Sequence, residues 1–450
     1  MSPTDSTILE AAKALKISPE AVETYLAAGQ GVRAEGVERS FHMTIKPVGS
    51  ACNLDCTYCY YLSKEELLAQ KSRRMKDEAL ERFIAQYIAS QDTEEIPFTW
   101  HGGEPTLMGL PFFRRVVELQ RKYTPAGRRC SNDLQTNGTL LDEEWCAFLA
   151  EHEFLVGLSI DGPRELHDHY RFTKKGKPTF DQVIAAARLL QKHGIIFSVL
   201  TTVNHHNAKH PLTVYRFLRD ELGARYIQLI PCVEPKQFAR VASGHLPSQE
   251  LVSADSARLD PGHPMSVVTD WSVGSEEWGT FLAAVFDEWQ ASDQGRVKIN
   301  LFESMFAQLN GQPSLMCTSS PFCGKNLAVE HDGRVYSCDH FVYPEHELGD
   351  VRERTLASMV FSLEQLKFGL DKHNSLPSEC KQCPYLKLCW GECPRTRFLK
   401  TRAGEGNLSY LCQGWKKFFA HVLPKIPRAR AQHAPLYPAT LLTRNNNVQS

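Results

Sequence analysis

Three cysteines, Cys52, Cys56 and Cys59, fall within the stretch CNLDCTYC. Thiolates are soft ligands for zinc and for iron–sulfur clusters, and both centres ordinarily take four protein ligands. No fourth cysteine stands nearby, so this set leaves one corner of a metal centre open. A second group comes late in the chain. Cys317, Cys323, Cys338, Cys380, Cys383, Cys389, Cys393 and Cys412 follow the spacing C-x5-C-x14-C, then C-x2-C-x5-C-x3-C, with Cys412 closing the set. Eight thiols suffice for two fully ligated centres, of zinc or of iron and sulfide. Cys130, Cys146 and Cys232 stand apart and read as small buried hydrophobes.

Composition narrows the setting. The chain has 450 residues, 42% apolar and 23% charged, which fits a globular protein. Its formal net charge of −1 gives no reason to expect a nucleic-acid partner. MSPTDSTILEAAKALK has no apolar core like that of a signal peptide, and no run approaches the roughly 18 apolar residues of a membrane helix. The expected location is the cytoplasm. Structural disulfides are rare there, so the eleven clustered cysteines of the 14 point to metal instead.

Other elements must position these thiols. Residues 1–38 read as a helical appendage for packing or recruitment, with Ser18 as cap and Pro19 as first residue of its second helix. From 39 to 290 strands alternate with helices: FHMTIKP, IPFTW, RCSNDLQ, FLVGLSI, IIFSVLTTV and YIQLIPCV are the strands. Six βα units predict an α/β fold, a parallel sheet wrapped as a partial (βα)6 barrel. Loops beyond the strand C-termini carry the site in such folds, and CNLDCTYC, HGGEP, TNG, DGP and NHHN occupy those loops. A polar insertion, 234–270, precedes the helix SEEWGTFLAAVFDEWQ. Residues 291–415 read as a small cysteine-rich domain organised by metal, with EHDGRVYSCDHF as a hairpin on an Asp-Gly turn. Residues 416–450 read as a tail that frays.

CNLDCTYC resembles the signature of the radical S-adenosylmethionine (SAM) superfamily. The resemblance implies that Cys52, Cys56 and Cys59 hold a [4Fe–4S] cluster whose open iron takes the amino and carboxylate groups of SAM. The missing fourth ligand is then the place where the cofactor binds. Further motifs match in order. GGE at 102–104 implies that Gly103 and Glu104 meet the SAM amino group; Ser159, Arg171 and Tyr58 match polar SAM contacts, and Val233 an adenine contact. The late cysteines resemble the SPASM domain, which implies two auxiliary [4Fe–4S] clusters. One falls to Cys317, Cys323, Cys338 and Cys393, the other to Cys380, Cys383, Cys389 and Cys412. On spacing alone zinc remains the alternative.

WHGGEPTLMGLPFF, FDEW at 286–289 and CGKNLAVEHDGRVYSCDHFVYPEHELGDV together resemble the anaerobic sulfatase-maturating enzymes, over about residues 41–415. That family oxidises a Cys or Ser in a sulfatase to Cα-formylglycine. The resemblance implies hydrogen abstraction from the substrate Cβ, exit of an electron through the auxiliary clusters, and Asp339 as proton acceptor. It implies as partners an unfolded or nascent sulfatase segment of Cys/Ser-x-Pro/Ala-x-Arg type and reduced flavodoxin or ferredoxin. The role of His101, where some members have Gln, stays open. Two rivals share parts of the pattern. A SPASM-type maturase of ribosomal peptides has all eleven cysteines but usually a larger N-terminal domain. A non-catalytic iron–sulfur electron carrier would not need GGE, Ser159 or Arg171.

Overall fold

A computed structural model describes residues 5–15, 17–30, 39–62, 74–236 and 251–426. In chain order its strands are β1 (His42–Lys46), β2 (Glu95–Trp100), β3 (Arg129–Thr136), β4 (Leu155–Ser159), β5 (Phe197–Val203), β6 (Tyr226–Pro231), β7 (Val252–Ser253), β8 (Lys298–Ile299), β9 (Asn326–Glu330), β10 (Arg334–Tyr336), β11 (Glu347–Asp350) and β12 (Leu399–Lys400). The expected alternation of six strands with helices is present, each strand within a few residues of its predicted place. The chain divides into two compact units whose segments interleave along the sequence: Met1–Ala51, Leu68–Asn132 and Pro321–Ser375 form one, Cys52–Leu67, Asp133–Ser320 and Leu376–Ser450 the other.

In the first unit the strand order is β11-β10-β9-β1-β2. β1 lies parallel to both β2 and β9, and β9 to β11 run antiparallel. Residues 43–46 of β1 are all buried, the pattern of a parallel strand covered on both faces. The predicted Asp-Gly hairpin joins β9 to β10, with Gly333 at φ +91° where a side chain would be strained. Aromatic rings make the core. Tyr87, on the helix Asp77–Ala89, stands edge-on to Phe98 at 4.9 Å, and Trp100 meets Phe113 of the helix Leu110–Tyr123 at 5.6 Å. Ser18 caps the helix Pro19–Gly29 as expected. The N-terminal helices pack: Ile8, Ala12 and Val22 cluster against Leu363 and Leu366, and the Tyr25 hydroxyl donates to the Val360 carbonyl at 2.8 Å.

In the second unit the order is β3-β4-β5-β6-β8, with residues 133–136 of β3 pairing to β4 and every pair parallel. Helices follow the strands; Asp142 accepts from the Trp145 N–H at 2.9 Å and starts the helix Glu143–Glu151. The helix expected over LTVYRFLRDELG is shorter. It runs Pro211–Arg216 and then widens into a π turn, Phe217–Glu221, where Arg219 reaches the buried Asp293 at 2.7 Å. The stretch expected to fray from 416 onward also differs. Its first residues belong to a helix, Cys412–Val422, with Phe418, Phe419 and Val422 buried; residues 427–450 lie outside the described residues. That helix crosses the helix Ser275–Ser292 backbone to backbone. A Cβ on Gly279 would lie 2.4 Å from the Gly414 carbonyl oxygen. Part of the polar insertion, 237–250, lies outside the described residues, and β7 beyond it pairs with β12. Among the described residues no helix is long and apolar enough to cross a membrane.

Candidate active site

The three-cysteine loop is fixed by backbone bonds to the segment after β4. Asp55 N–H donates to Phe172 O at 2.9 Å and Thr57 N–H to Tyr170 O at 3.0 Å. Cys56, Tyr58 and Cys59 are thereby carried on a short, tied turn. Cys52 Sγ accepts from Leu54 N–H at 3.4 Å and from Asn137 Nδ2 at 3.7 Å; Asn137 comes from the TNG loop after β3. Such N–H···S bonds favour the thiolate that a metal requires. Burial acts the other way on Cys56 and pushes its thiol up to about 12, although Arg171 pulls it down. A positively charged metal centre would relieve that cost, so the donor set fits a cluster.

Asp161, in the DGP loop, organises the polar partners and was not singled out from sequence. Its side chain has no exposed surface. It accepts from Arg171 Nε at 2.9 Å and a second guanidinium nitrogen at 3.2 Å, from Thr202 N–H at 3.0 Å, and from the Tyr58 hydroxyl through a short bond. The guanidinium also lies 5.4 Å from the Tyr58 ring centre. Tyr58 and Arg171, both expected as SAM contacts, are thus brought together on one carboxylate. Burial works against the Arg171 charge, but Asp161 foremost outweighs it and holds the guanidinium above its usual value. Burial pushes the Tyr58 hydroxyl well up. His167 supports the group from behind. Its Nδ1 accepts from Asp161 N–H at 3.4 Å and its Nε2 meets Thr179 Oγ1 at 3.0 Å, the arrangement of a neutral ring. Burial, with Arg171 second, lowers it to about 3. Ser159 accepts from Gln135 Nε2 at 3.0 Å. Val233 is buried just beyond β6.

In the first unit the GGE loop is laced to the residues that lead into Cys52. His101 N–H donates to Ile45 O at 2.8 Å, Gly103 N–H to Gly49 O at 2.8 Å and Glu104 N–H to Ala51 O at 2.9 Å. A Cβ on Gly103 would lie 1.9 Å from the Ala51 carbonyl oxygen, so only glycine fits there. Glu104 is fully buried, and its Oε1 accepts from Thr106 N–H at 3.1 Å and Thr106 Oγ1 at 2.6 Å.

Asp339 follows Cys338 in a short 3-10 turn. Its Oδ1 lies 2.5 Å from Nζ of Lys46, a side chain with no exposed surface, while a fifth of Asp339 stays open. Burial alone would raise this carboxyl; Lys46 foremost, then His101 and His340, outweigh it and hold the acid well below its usual range. His101 Nδ1 accepts from Gly102 N–H at 2.7 Å, and burial lowers the ring to about 4 despite Asp339. His42, also lowered to about 4 by burial, meets Thr99 Oγ1 at 2.7 Å.

Four late cysteines meet in the second unit. Cys380, Cys383, Cys389 and Cys412 line one partly open pocket, together with Trp415 and Phe419. Among the described residues no three His, Cys, Asp or Glu side chains converge to hold a single metal ion. Burial pushes the thiols of Cys389 and Cys412 up to about 12 and raises Cys380. Cys323 and Cys338 belong to the first unit, Cys317 and Cys393 to the second. Cys146 and Cys232 are buried, as their isolation suggested; Cys130 is half-buried, with Thr124 Oγ1 at 3.1 Å.

Comparison with known proteins places this geometry. Residues 47–218 match the radical SAM superfamily, and residues 321–384 the SPASM iron–sulfur cluster-binding domain. The serine-type anaerobic sulfatase-maturating enzyme of Bacteroides thetaiotaomicron is 44% identical over 387 residues, 86% of this chain and 90% of that protein. The cysteine-type enzyme of Clostridium perfringens is 34% identical, over 85% of this chain and 96% of that protein. The solved structure of native anSMEcpe with bound AdoMet superposes with a TM-score of 0.73 at 33% identity, covering 85% of this chain and 97% of that one. The fold is also that of Streptococcus suis SuiB, at 14% identity and a TM-score of 0.51 over 79% of this chain and 73% of that one. With 44% identity across nine-tenths of a maturating enzyme, and with both the three-cysteine loop and the SPASM segment in place, this chain belongs to the anaerobic sulfatase-maturating enzymes of the radical SAM superfamily.

Proposed function

We propose that this protein oxidises a Cys or Ser side chain of a sulfatase segment to Cα-formylglycine without oxygen. The observation that carries this is similarity over 86% of the chain to a serine-type maturating enzyme. Two further solved structures of anSMEcpe have AdoMet together with a peptide, Kp18Cys in one and Cp18Cys in the other, which supports a peptide as substrate. We take residues 39–290 as the radical SAM domain and 291–415 as the SPASM domain.

Cys52, Cys56 and Cys59 would hold the SAM-binding cluster. Cys380, Cys383, Cys389 and Cys412 would hold one auxiliary cluster, and Cys317, Cys323, Cys338 and Cys393 the other. When bound, these groups supply one-electron chemistry: hydrogen-atom removal from the substrate Cβ and an exit for the second electron. The chain's own residues orient and move the proton. Asp161 anchors Tyr58 and Arg171 beside the cysteine loop. The polar SAM contacts would come from Tyr58, Ser159 and Arg171, the amino-group contact from the Gly103–Glu104 backbone, and the adenine contact from Val233. Asp339 takes the thiol or hydroxyl proton, being ionised and partly open to an incoming side chain. The proton acceptor need not be strongly basic, because loss of a hydrogen atom from the neighbouring carbon makes the S–H or O–H far more acidic. The electron donor is a reduced flavodoxin or ferredoxin and the setting the cytoplasm.

The test is anaerobic incubation with SAM, dithionite and paired peptides carrying Cys-x-Pro-x-Arg or Ser-x-Pro-x-Arg. Mass change to the aldehyde in either peptide, with matching 5′-deoxyadenosine, is the expected result. Peptide cross-linking without aldehyde would overturn the reading.

A further inference from the structure

Lys46 has no counterpart among the residues discussed so far as cofactor contacts or cluster ligands. It sits on β1, in the interior of a sheet, with no exposed side-chain surface. Lysine is almost never buried to that degree without a partner. One partner is Asp339, at 2.5 Å. Another carboxylate stands beside it. In the parallel register of β1 and β9, Lys46 is aligned with Glu330. Aligned residues of neighbouring strands project to the same face. Glu330 is 1% exposed, and His331 Nδ1 lies 3.4 Å from its Oε2. The backbone of Gly49 closes over this pair: a Cβ there would lie 2.7 Å from His331 Nδ1. Lys46 therefore has one carboxylate in contact, partly open, and a second, sealed in the sheet, at the aligned position of the next strand.

The arrangement answers a difficulty at Asp339. The residue rides on a three-residue 3-10 turn, and a carboxylate's terminal torsion is soft. Nothing in the turn itself fixes which oxygen faces a substrate. A buried strand lysine 2.5 Å from one of its oxygens does. We propose that Lys46 is the positioning residue of Asp339: it commits one carboxylate oxygen to its ammonium and directs the substrate proton to the other. Lys46 touches neither substrate nor cofactor in this role. The inference rests on the reading of Asp339 as proton acceptor.

The test uses the cluster-loaded enzyme. Lys46→Met keeps the length and removes the charge but leaves Glu330 buried without its ammonium. Lys46→Met with Glu330→Gln removes both charges, and whichever variant folds with its full iron content is read. The expected result is 5′-deoxyadenosine formation within a few-fold of the parent and aldehyde per 5′-deoxyadenosine lowered tenfold or more. A ratio equal to the parent's overturns the proposal. The infrared carboxylate band that disappears in Asp339→Asn supplies a readout independent of turnover. It should shift in the Lys46 variants, and an unmoved band overturns the contact itself. If Asp339→Asn keeps the parent's aldehyde yield, the proton-acceptor reading fails, while the band shift still reports the Lys46 contact; the two failures are thus separable.

Discussion

On the proposed reading one carboxylate, Asp339, separates hydrogen abstraction from proton removal. Asp339→Asn keeps the shape of the side chain and removes its proton affinity, so aldehyde yield should fall about a hundredfold or more while 5′-deoxyadenosine stays within a few-fold. Parallel measurement of the two products checks this. His167 gives a second test, in pH. Its ring is held neutral in the fold, lowered from an ordinary 6.5 to about 3. Between those values the unfolded chain binds the extra proton, so stability is full above about 6.5 and is lost as pH falls toward 3. The loss attributable to this ring is about 2 kcal/mol at pH 5. Denaturant midpoints at pH 7.5 and pH 5 should therefore separate less in His167→Gln than in the parent, the common acid lability of clusters cancelling. The grouping of the cysteines was legible in sequence because spacings such as C-x3-C-x2-C are local. Asp161 was not, because an aspartate in a βα loop is ordinary until Tyr58, Arg171 and Thr202 are seen to converge on it. Lys46 was invisible for a similar reason: its meaning lies in β9 and in the turn after it.

Elements position these residues through backbone contact. The helices Ser275–Ser292 and Cys412–Val422 touch at Gly279 and Gly414, with Gly414 N–H donating to Ser275 Oγ at 3.0 Å. Alanine in a helix interior is ordinarily better than glycine by about 1 kcal/mol. Here the added methyl would enter the space of the Gly414 carbonyl, and overpacking costs about 1–3 kcal/mol. Gly279→Ala should reverse the usual sign, lowering the unfolding free energy by about 1–2 kcal/mol, read as a lower urea midpoint with an unchanged slope. Periodicity located the helix Ser275–Ser292 and the six strands, since apolar spacing is a short-range signal. The helix Cys412–Val422 went unread although Leu411, Trp415, Phe418 and Val422 recur at helical spacing, and the π turn at Phe217–Glu221, where Arg219 meets Asp293, has no period of its own.

At the scale of the molecule, eleven cysteines in sets of three, four and four call for about twelve iron and twelve sulfide per chain after anaerobic reconstitution. Replacing Cys380, Cys383, Cys389 and Cys412 by Ala should remove about four of each and leave the rest. Stoichiometric zinc would overturn the assignment. The pairing of β1 with β9 has a consequence for how the chain is made. His42 aligns with Asn326, about 280 residues downstream. At roughly 5–20 residues per second, the ribosome needs some tens of seconds after making β1 to deliver its second neighbour. Through that interval β1 offers an unpaired edge, and the three-cysteine loop leaves the tunnel long before Asp339 exists. A message truncated before codon 326 would release a chain with that edge open, ready to pair with another of its kind. Translation through β9 and the turn that carries Asp339 is thus a condition for burying Lys46.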